Sequence, residues 1–160
     1  MKIVVTMNEI EGLINKIKDE KKSVAFTNGC FDILHRGHVE YLEKAKEYAD
    51  ILVLGLNSDD SVKRIKKSPR PYVNENDRAF ILSRLKSVDI VCIFNEDTPV
   101  NLIKKVKPDY LIKGGDYKTD EIVGKEIVEE YGGKVLSVNF VSGVSSSAIV
   151  KKIQSEKKSE

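Results

Sequence analysis

Apolar residues recur along this chain in two rhythms, and the alternation between them predicts the fold. Short continuous apolar runs, bounded by polar or glycine-containing turns, occupy residues 23–27, 51–56, 89–94, 109–112 and 135–138. Such runs are expected of strands covered on both faces. Between them, apolar groups return at helical spacing. Residues 7–20 show it first, through Met7, Ile10, Leu13, Ile14 and Ile17, followed by 39–48, 75–85, 99–105, 121–131 and 145–153. Asp59 is placed to N-cap a short helix ending near Arg64. Pro99 suits a first helical turn, and Gly132-Gly133 a helix end. Residues 66–74 combine two prolines with a basic cluster and are expected to form a loop. Strands alternating with helices predict an α/β fold, a Rossmann-like parallel sheet of about five strands with helices on both faces. The helix over 7–20 precedes the first expected strand, so residues 1–21 are read as an N-terminal helical extension. Residues 154–160 are expected to fray. With no repeat, low-complexity segment or linker, the 160 residues are read as one domain.

Composition narrows the partner classes. Hydrophobic residues make up 41% and charged residues 32%, and the net charge is +2 with the signs interspersed. That distribution offers no basic face for nucleic acid, and no apolar run reaches the length of a membrane span. Cys30 and Cys92 have neither CxxC spacing nor companion ligands. With no secretory leader, they are expected as reduced thiols of a cytoplasmic protein.

Candidate chemistry concentrates in His35-Arg36-Gly37-His38, which holds the only two histidines of the chain. The pair follows an expected strand and the turn Asn28-Gly29-Cys30, and it opens an expected helix. Free N–H groups and the positive end of the helix dipole favour an anion at such a place. Histidines at i and i+3 share one helix face. Two donors beside a phosphate cradle suggest phosphoryl or nucleotidyl transfer. An isolated pair at this spacing is more often ordinary core or surface histidine; the strand-to-helix turn tips the balance. A structural zinc site lacks a four-ligand set. Gly29 and the N–H groups of Cys30 and Phe31 can approach phosphates, or simply form a strand-end turn. Arg78 sits in a first helical turn, where a cation opposes the dipole, which is explained by an anionic ligand or by a salt bridge to Asp77 or Glu75. Asn57, Ser58 and Asp59 end an expected strand, as a polar wall for an acceptor or as a helix cap, with capping the simpler role for Asp59. Ser145, Ser146 and Ser147 open the last helix, one of them as its cap.

The run Thr27-Asn28-Gly29-Cys30-Phe31-Asp32-Ile33-Leu34-His35-Arg36-Gly37-His38 resembles the signature of the HxGH nucleotidyltransferases. Within that superfamily it is similar to the branch of glycerol-3-phosphate cytidylyltransferases and sugar-phosphate adenylyltransferases, above all the adenylyltransferase domains that act on heptose 1-phosphate. The resemblance runs from about Lys22 to Ile153. It includes Gly55-Leu56-Asn57-Ser58-Asp59, Asn76-Asp77-Arg78, Lys113-Gly114-Gly115-Asp116-Tyr117 and Gly143-Val144-Ser145-Ser146-Ser147.

The resemblance implies transfer of AMP from ATP to a sugar 1-phosphate, most closely D-glycero-D-manno-heptose 1-phosphate, with release of pyrophosphate. His35 and His38 would contact the nucleotide phosphates, with Lys66 and Arg78 as further catalytic cations. Lys63 and Lys67 are near enough to Lys66 to take its role. Asn28, Gly29, Cys30, Phe31, Gly114, Asp116, Val144 and Ser145 to Ser147 would bind the nucleotide. Asn57, Ser58, Asp59 and Lys113 would bind the acceptor. Mg²⁺ is expected to travel with ATP, with no metal site on the protein itself. A homodimer and a separate sugar kinase are further expectations. Val144 and three serines depart mildly from the family pattern. Cytidylyltransferases carry an arginine shortly before that motif, where this chain has Phe140-Val141-Ser142, which favours ATP over CTP. A glycerol-3-phosphate-type cytidylyltransferase and an FAD-synthase-like adenylyltransferase are the same-class alternatives. A non-catalytic nucleotide-binding protein is the alternative of a different class.

Overall fold

The structure is a computed structural model that describes residues 3–66, 69–115, 118–139 and 145–156. In chain order these form β1 (Ile3–Val5), α1 (Ile10–Asp19), β2 (Val24–Gly29), α2 (Arg36–Lys46), β3 (Ile51–Asn57), α3 (Asp59–Ile65), α4 (Glu75–Ser83), β4 (Ile90–Phe94), α5 (Val100–Val106) and β5 (Tyr110–Gly114). A 3-10 turn (Thr119–Glu121), α6 (Lys125–Glu130), β6 (Lys134–Val138) and α7 (Ser146–Glu156) complete the order. Six strands pair in the order β1-β4-β3-β2-β5-β6, every pair parallel. The sheet grows from β2 towards β3 and β4, and the chain then crosses to β5 and β6 on the other side. The carboxyl end of β2 is therefore the point where strand order reverses, the usual ligand crevice of an open α/β sheet.

Side-chain alternation along the strands divides the interior into two layers. Val24 and Phe26 of β2, Val53 of β3, and Ile90, Cys92 and Phe94 of β4 pack with Ile10 and Ile14 of α1, Leu102, Ile103 and Val106 of α5, and Val128 of α6. Ala25, Leu52, Leu54, Leu56, Val91 and Ile112 face the other way, onto Tyr41, Leu42 and Ala45 of α2 and Ala79 and Leu82 of α4. Gly55 keeps the first layer closed: a Cβ there would lie 3.0 Å from both Phe26 and Leu102.

Four expectations are corrected. The sheet has six strands, because Ile3–Val5 pairs with β4 in the register Ile3 to Ile90. The segment before β2 is thus an edge strand plus a helix whose Ile10 and Ile14 are core residues, not an appended extension. Its strand is three residues long, too short to display a period. The helix expected over 121–131 is broken, since Gly124 adopts φ +93. Gly124 makes the left-handed turn, a Cβ there would press on Ile103, and α6 starts at Lys125. Finally, the N-cap of α3 is Ser58, whose Oγ accepts the Ser61 N–H at 3.1 Å, and Asp59 is already helical.

Candidate active site

A cleft of about 600 Å³ opens over the carboxyl ends of the central strands. That volume suits a nucleotide-sized ligand. One wall is the turn after β2, Asn28 to Asp32, with His38 of α2. Asn57 from β3, Lys113 from β5, and Ser146 and Ser147 from α7 contribute further polar groups, while Lys66 and Arg70 enter from the α3–α4 connection.

The turn after β2 is tightly built. A Cβ on Gly29 would come within 2.9 Å of the Phe31 ring, so the strand end can hold only glycine without moving that ring. Phe31 itself is left-handed, at φ +45. A bulky residue adopts that conformation only where its surroundings enforce it. Asp32, next in the chain, accepts from Arg70 Nη1 at 2.8 Å and from the Tyr72 and Val73 N–H groups at 2.8 and 2.9 Å. The carboxylate therefore ties this turn to the segment before α4.

His35 is the N-cap of α2 in extended conformation, and the His38 N–H donates to its carbonyl at 2.9 Å. This geometry stacks the two imidazoles, with centroids 3.9 Å apart and planes at 24°. The Phe31 ring stands 5.3 Å from His38, tilted by 55°. Burial, and then repulsion from His35, pushes the His38 pKa down to about 4. Burial also lowers that of His35. Both rings are thus neutral at pH 7, each with one N–H donor. The Nδ1 atoms of both are buried without a hydrogen-bond partner among the described residues. An unpaired buried polar atom costs about 1–3 kcal/mol, and functional sites are where such a cost is retained.

Two lysines face the same space. Lys66 is the exposed C-cap residue of α3. Lys113 is partly buried on β5 and has no ion-pair partner among the described residues. Burial lowers its pKa, and the charge of Lys66 adds to that effect. Cys30 is a free thiol whose pKa is raised by burial, so it stays protonated and serves through its backbone.

Several expected ligand contacts are structural instead. Arg78 is 1% exposed. Its Nε donates to the Val73 carbonyl at 2.9 Å, its Nη1 to the carbonyls of Cys30 at 2.6 Å and Asn57 at 2.9 Å, and its Nη2 to Asp59 Oδ1 at 2.7 Å. The guanidinium braces the ends of β2 and β3 against α4 and does not line the cleft. Its salt-bridge partner is Asp59, neither Asp77 nor Glu75. Asp59 is consumed by that pair. Ser58 is consumed by its cap and by donation to Asn95 Oδ1 at 2.6 Å. Of the expected acceptor wall at the end of β3, only Asn57 lines the cleft.

At the far side, Ser145 caps α7 by accepting the Ala148 N–H at 3.1 Å. Ser146 donates to the Ile33 carbonyl at 3.0 Å, joining α7 to the histidine turn, and Ser147 lines the cleft. Gly114 is buried at the end of β5, in register with Val138, and does not line the cleft. Asp116, Val144, Lys67, Tyr117 and Phe140 lie outside the described residues. Cleft residues that no motif announced include Arg70, Asp97, Thr98 and Glu121, with Val62, Ile65 and Ile122 as an apolar floor. Only Arg70 carried any signal, as part of the basic loop. No helix among the described residues is long and apolar enough to cross a membrane.

Residues 26–153 match the family model described as cytidylyltransferase-like. The bifunctional protein HldE of Geobacter metallireducens is 52% identical over 150 residues, covering 94% of this chain and 31% of that protein. The bifunctional protein HldE of Campylobacter concisus is 53% identical over 152 residues, 95% of this chain and 31% of that protein. The chain therefore spans about a third of the length of these relatives. Among solved structures, the lipopolysaccharide core biosynthesis protein from Thermoplasma volcanium is 30% identical with a TM-score of 0.63, covering 77% of this chain and 99% of that one. Pantoate-beta-alanine ligase from Francisella tularensis covers 92% of this chain and 69% of its own at TM-score 0.65, and its 14% identity speaks for the fold alone. A parallel sheet with its cleft at the carboxyl end of β2, a stacked histidine pair there, and a family match across both layers of the core agree, and the chain belongs to the cytidylyltransferase-like family.

Proposed function

We propose that this chain transfers AMP from ATP to a sugar 1-phosphate, with D-glycero-D-manno-heptose 1-phosphate as the acceptor, forming an ADP-sugar and pyrophosphate. The observation that carries the reading is the neutral, stacked pair His35 and His38, with unspent polar atoms, of which His38 lines a cleft that also holds Lys66 and Lys113. An acceptor phosphate oxygen attacks the α-phosphorus in line. The bond from that phosphorus to the bridging oxygen breaks, and pyrophosphate leaves with the electron pair. No side chain acts as a nucleophile. The imidazoles donate to oxygens that gain charge in the transition state, and the lysines hold the flanking phosphates.

Similarity to the HldE proteins over nearly the whole chain supports the heptose acceptor. The absence of an arginine before the serine motif supports ATP over CTP. Mg²⁺ enters as part of the nucleotide substrate. In this reading the triphosphate supplies most of the ion's ligands. The reading includes a cytoplasmic location, where ATP is made, and a kinase step that supplies the phosphorylated sugar. It also includes a homodimer through Phe80 and Ile81, which are 59% and 45% exposed on α4. Pyrophosphate release from ATP and from CTP, against heptose 1-phosphate, glycerol 3-phosphate and FMN, tests the proposal. Release with ATP and heptose 1-phosphate is expected. Preference for CTP overturns the nucleotide, preference for another acceptor overturns the sugar, and binding without release overturns catalysis.

A further inference from the structure

The cleft is lined by an arginine whose situation is the reverse of Arg78's. Arg70 lies between α3 and α4, and its Nη1 donates to Asp32 Oδ2 at 2.8 Å. The pair is well shielded, with the arginine side chain 16% and the aspartate 5% exposed. The guanidinium also stands 4.9 Å from the centre of the Tyr72 ring, which gives it a shelf. Asp32 is itself held by the Tyr72 and Val73 N–H groups, so it cannot swing away. An arginine has five N–H donors. Arg78 commits to four protein acceptors, whereas Arg70 makes a single hydrogen bond among the described residues, and it lines the cleft with His38, Lys66 and Lys113.

A buried carboxylate beside a phosphate cradle would repel a triphosphate unless it were neutralised. Shielding an ion pair is also a poor route to stability, because desolvation offsets most of the attraction. Both features are explained if the pair exists to present the arginine. We propose that Arg70 grips the β- and γ-phosphates of the nucleotide, and that Asp32 is the positioning residue that aims it. The inference rests on the nucleotidyl-transfer reading above. As the bond to the α-phosphorus breaks, negative charge accumulates on the departing pyrophosphate. A planar guanidinium meets two of its oxygens in parallel. Held in place beforehand, it needs no reorganisation during the step.

The test uses the full chain with Arg70→Ala, Arg70→Lys, Asp32→Asn and the double variant Asp32→Asn/Arg70→Ala. Binding of inorganic pyrophosphate, followed by calorimetry, requires no acceptor. Arg70→Ala is expected to weaken it by about tenfold or more. In pyrophosphate release, Arg70→Ala should lower kcat by about 100-fold with a smaller rise in KM for ATP. Asp32→Asn should show a milder loss of the same kind. The double variant should be no worse than Arg70→Ala alone, because Asp32 acts through the arginine. Arg70→Lys keeps the charge without the fork, so it should recover pyrophosphate affinity more than kcat; it also carries the test if the alanine variant does not fold. Unchanged pyrophosphate affinity in the Arg70 variants, or losses that multiply in the double variant, would overturn the proposal. If the wild-type chain binds pyrophosphate but transfers no AMP to any sugar phosphate, the functional reading fails while the calorimetry still decides on Arg70.

Discussion

The histidine turn at the start of α2 and the arginine at the start of α4 look alike as sequence, since each places basic side chains in the first turn of a helix beside a strand end. In the structure they are opposites. Arg78 is nearly inaccessible and gives its donors to Val73, Cys30, Asn57 and Asp59. His35 and His38 stack on one another and leave their Nδ1 atoms unpartnered among the described residues. A polar side chain that has spent its hydrogen bonds on the fold holds the site's shape. One that has kept them is available to a ligand. Position in the fold does not distinguish the two; the inventory of partners does.

The contrast can be broken most forcefully at the histidines. His35→Ala and His38→Ala should each lower kcat by about two to four orders of magnitude, the range for losing a transition-state donor. Thermal melting should change far less, because no hydrogen bond among the described residues ties either ring to the fold. Near-normal turnover in either purified variant would remove the pair from the chemistry. Arg78→Met should do the reverse of a ligand contact. It strands Asp59 and three carbonyls, and losing one partner of a buried pair costs about 3–5 kcal/mol. Urea denaturation should register that loss, and an unchanged midpoint would return Arg78 to the list of ligand contacts. A gentler probe is acid. The folded His38 pKa lies near 4, below the value of an unfolded histidine. The unfolded chain therefore takes up the proton first as pH falls. His38 should favour the fold above about pH 6.5 and lose that contribution progressively towards pH 4. His38→Gln should flatten part of this decline. An NMR titration of the wild-type ring giving an ordinary pKa would contradict its burial.

Much of the fold was legible because its strands are buried on both faces. Residues 51–56 and 90–94 carry no polar side chain, and a run of that kind has few other uses in a chain of this length. What escaped had a physical reason in each case. Ile3–Val5 is too short to show a period and is defined by pairing with Ile90 to Cys92, far away in sequence. The helix break at Gly124 was missed because a single glycine is tolerated inside a helical pattern and does not by itself announce a left-handed turn. At the site, the histidines and Asn28 to Phe31 were readable because chain neighbours form that turn. Arg70, Asp97 and Glu121 were not, since different connections bring them to the cleft. Ser58 and Asp59 were half legible: the sequence announced a capped helix, but choosing the cap took the hydrogen bond from Ser61.

The β1–β4 pairing has a consequence for how the chain acquires its shape during synthesis. Ile3 finds its partner only when Ile90 has been made, and Ile10 and Ile14 of α1 wait longer, for Leu102, Ile103 and Val106 of α5. Until then the amphipathic face of α1 has only Val24, Phe26 and Val53 of its final neighbours to cover it. Contacts this distant in sequence are slow to close and leave apolar groups open to other chains meanwhile. Helix α1 is thus made well before the last of the elements that seat it, and a nascent chain stalled before α5 would be a natural client for a chaperone.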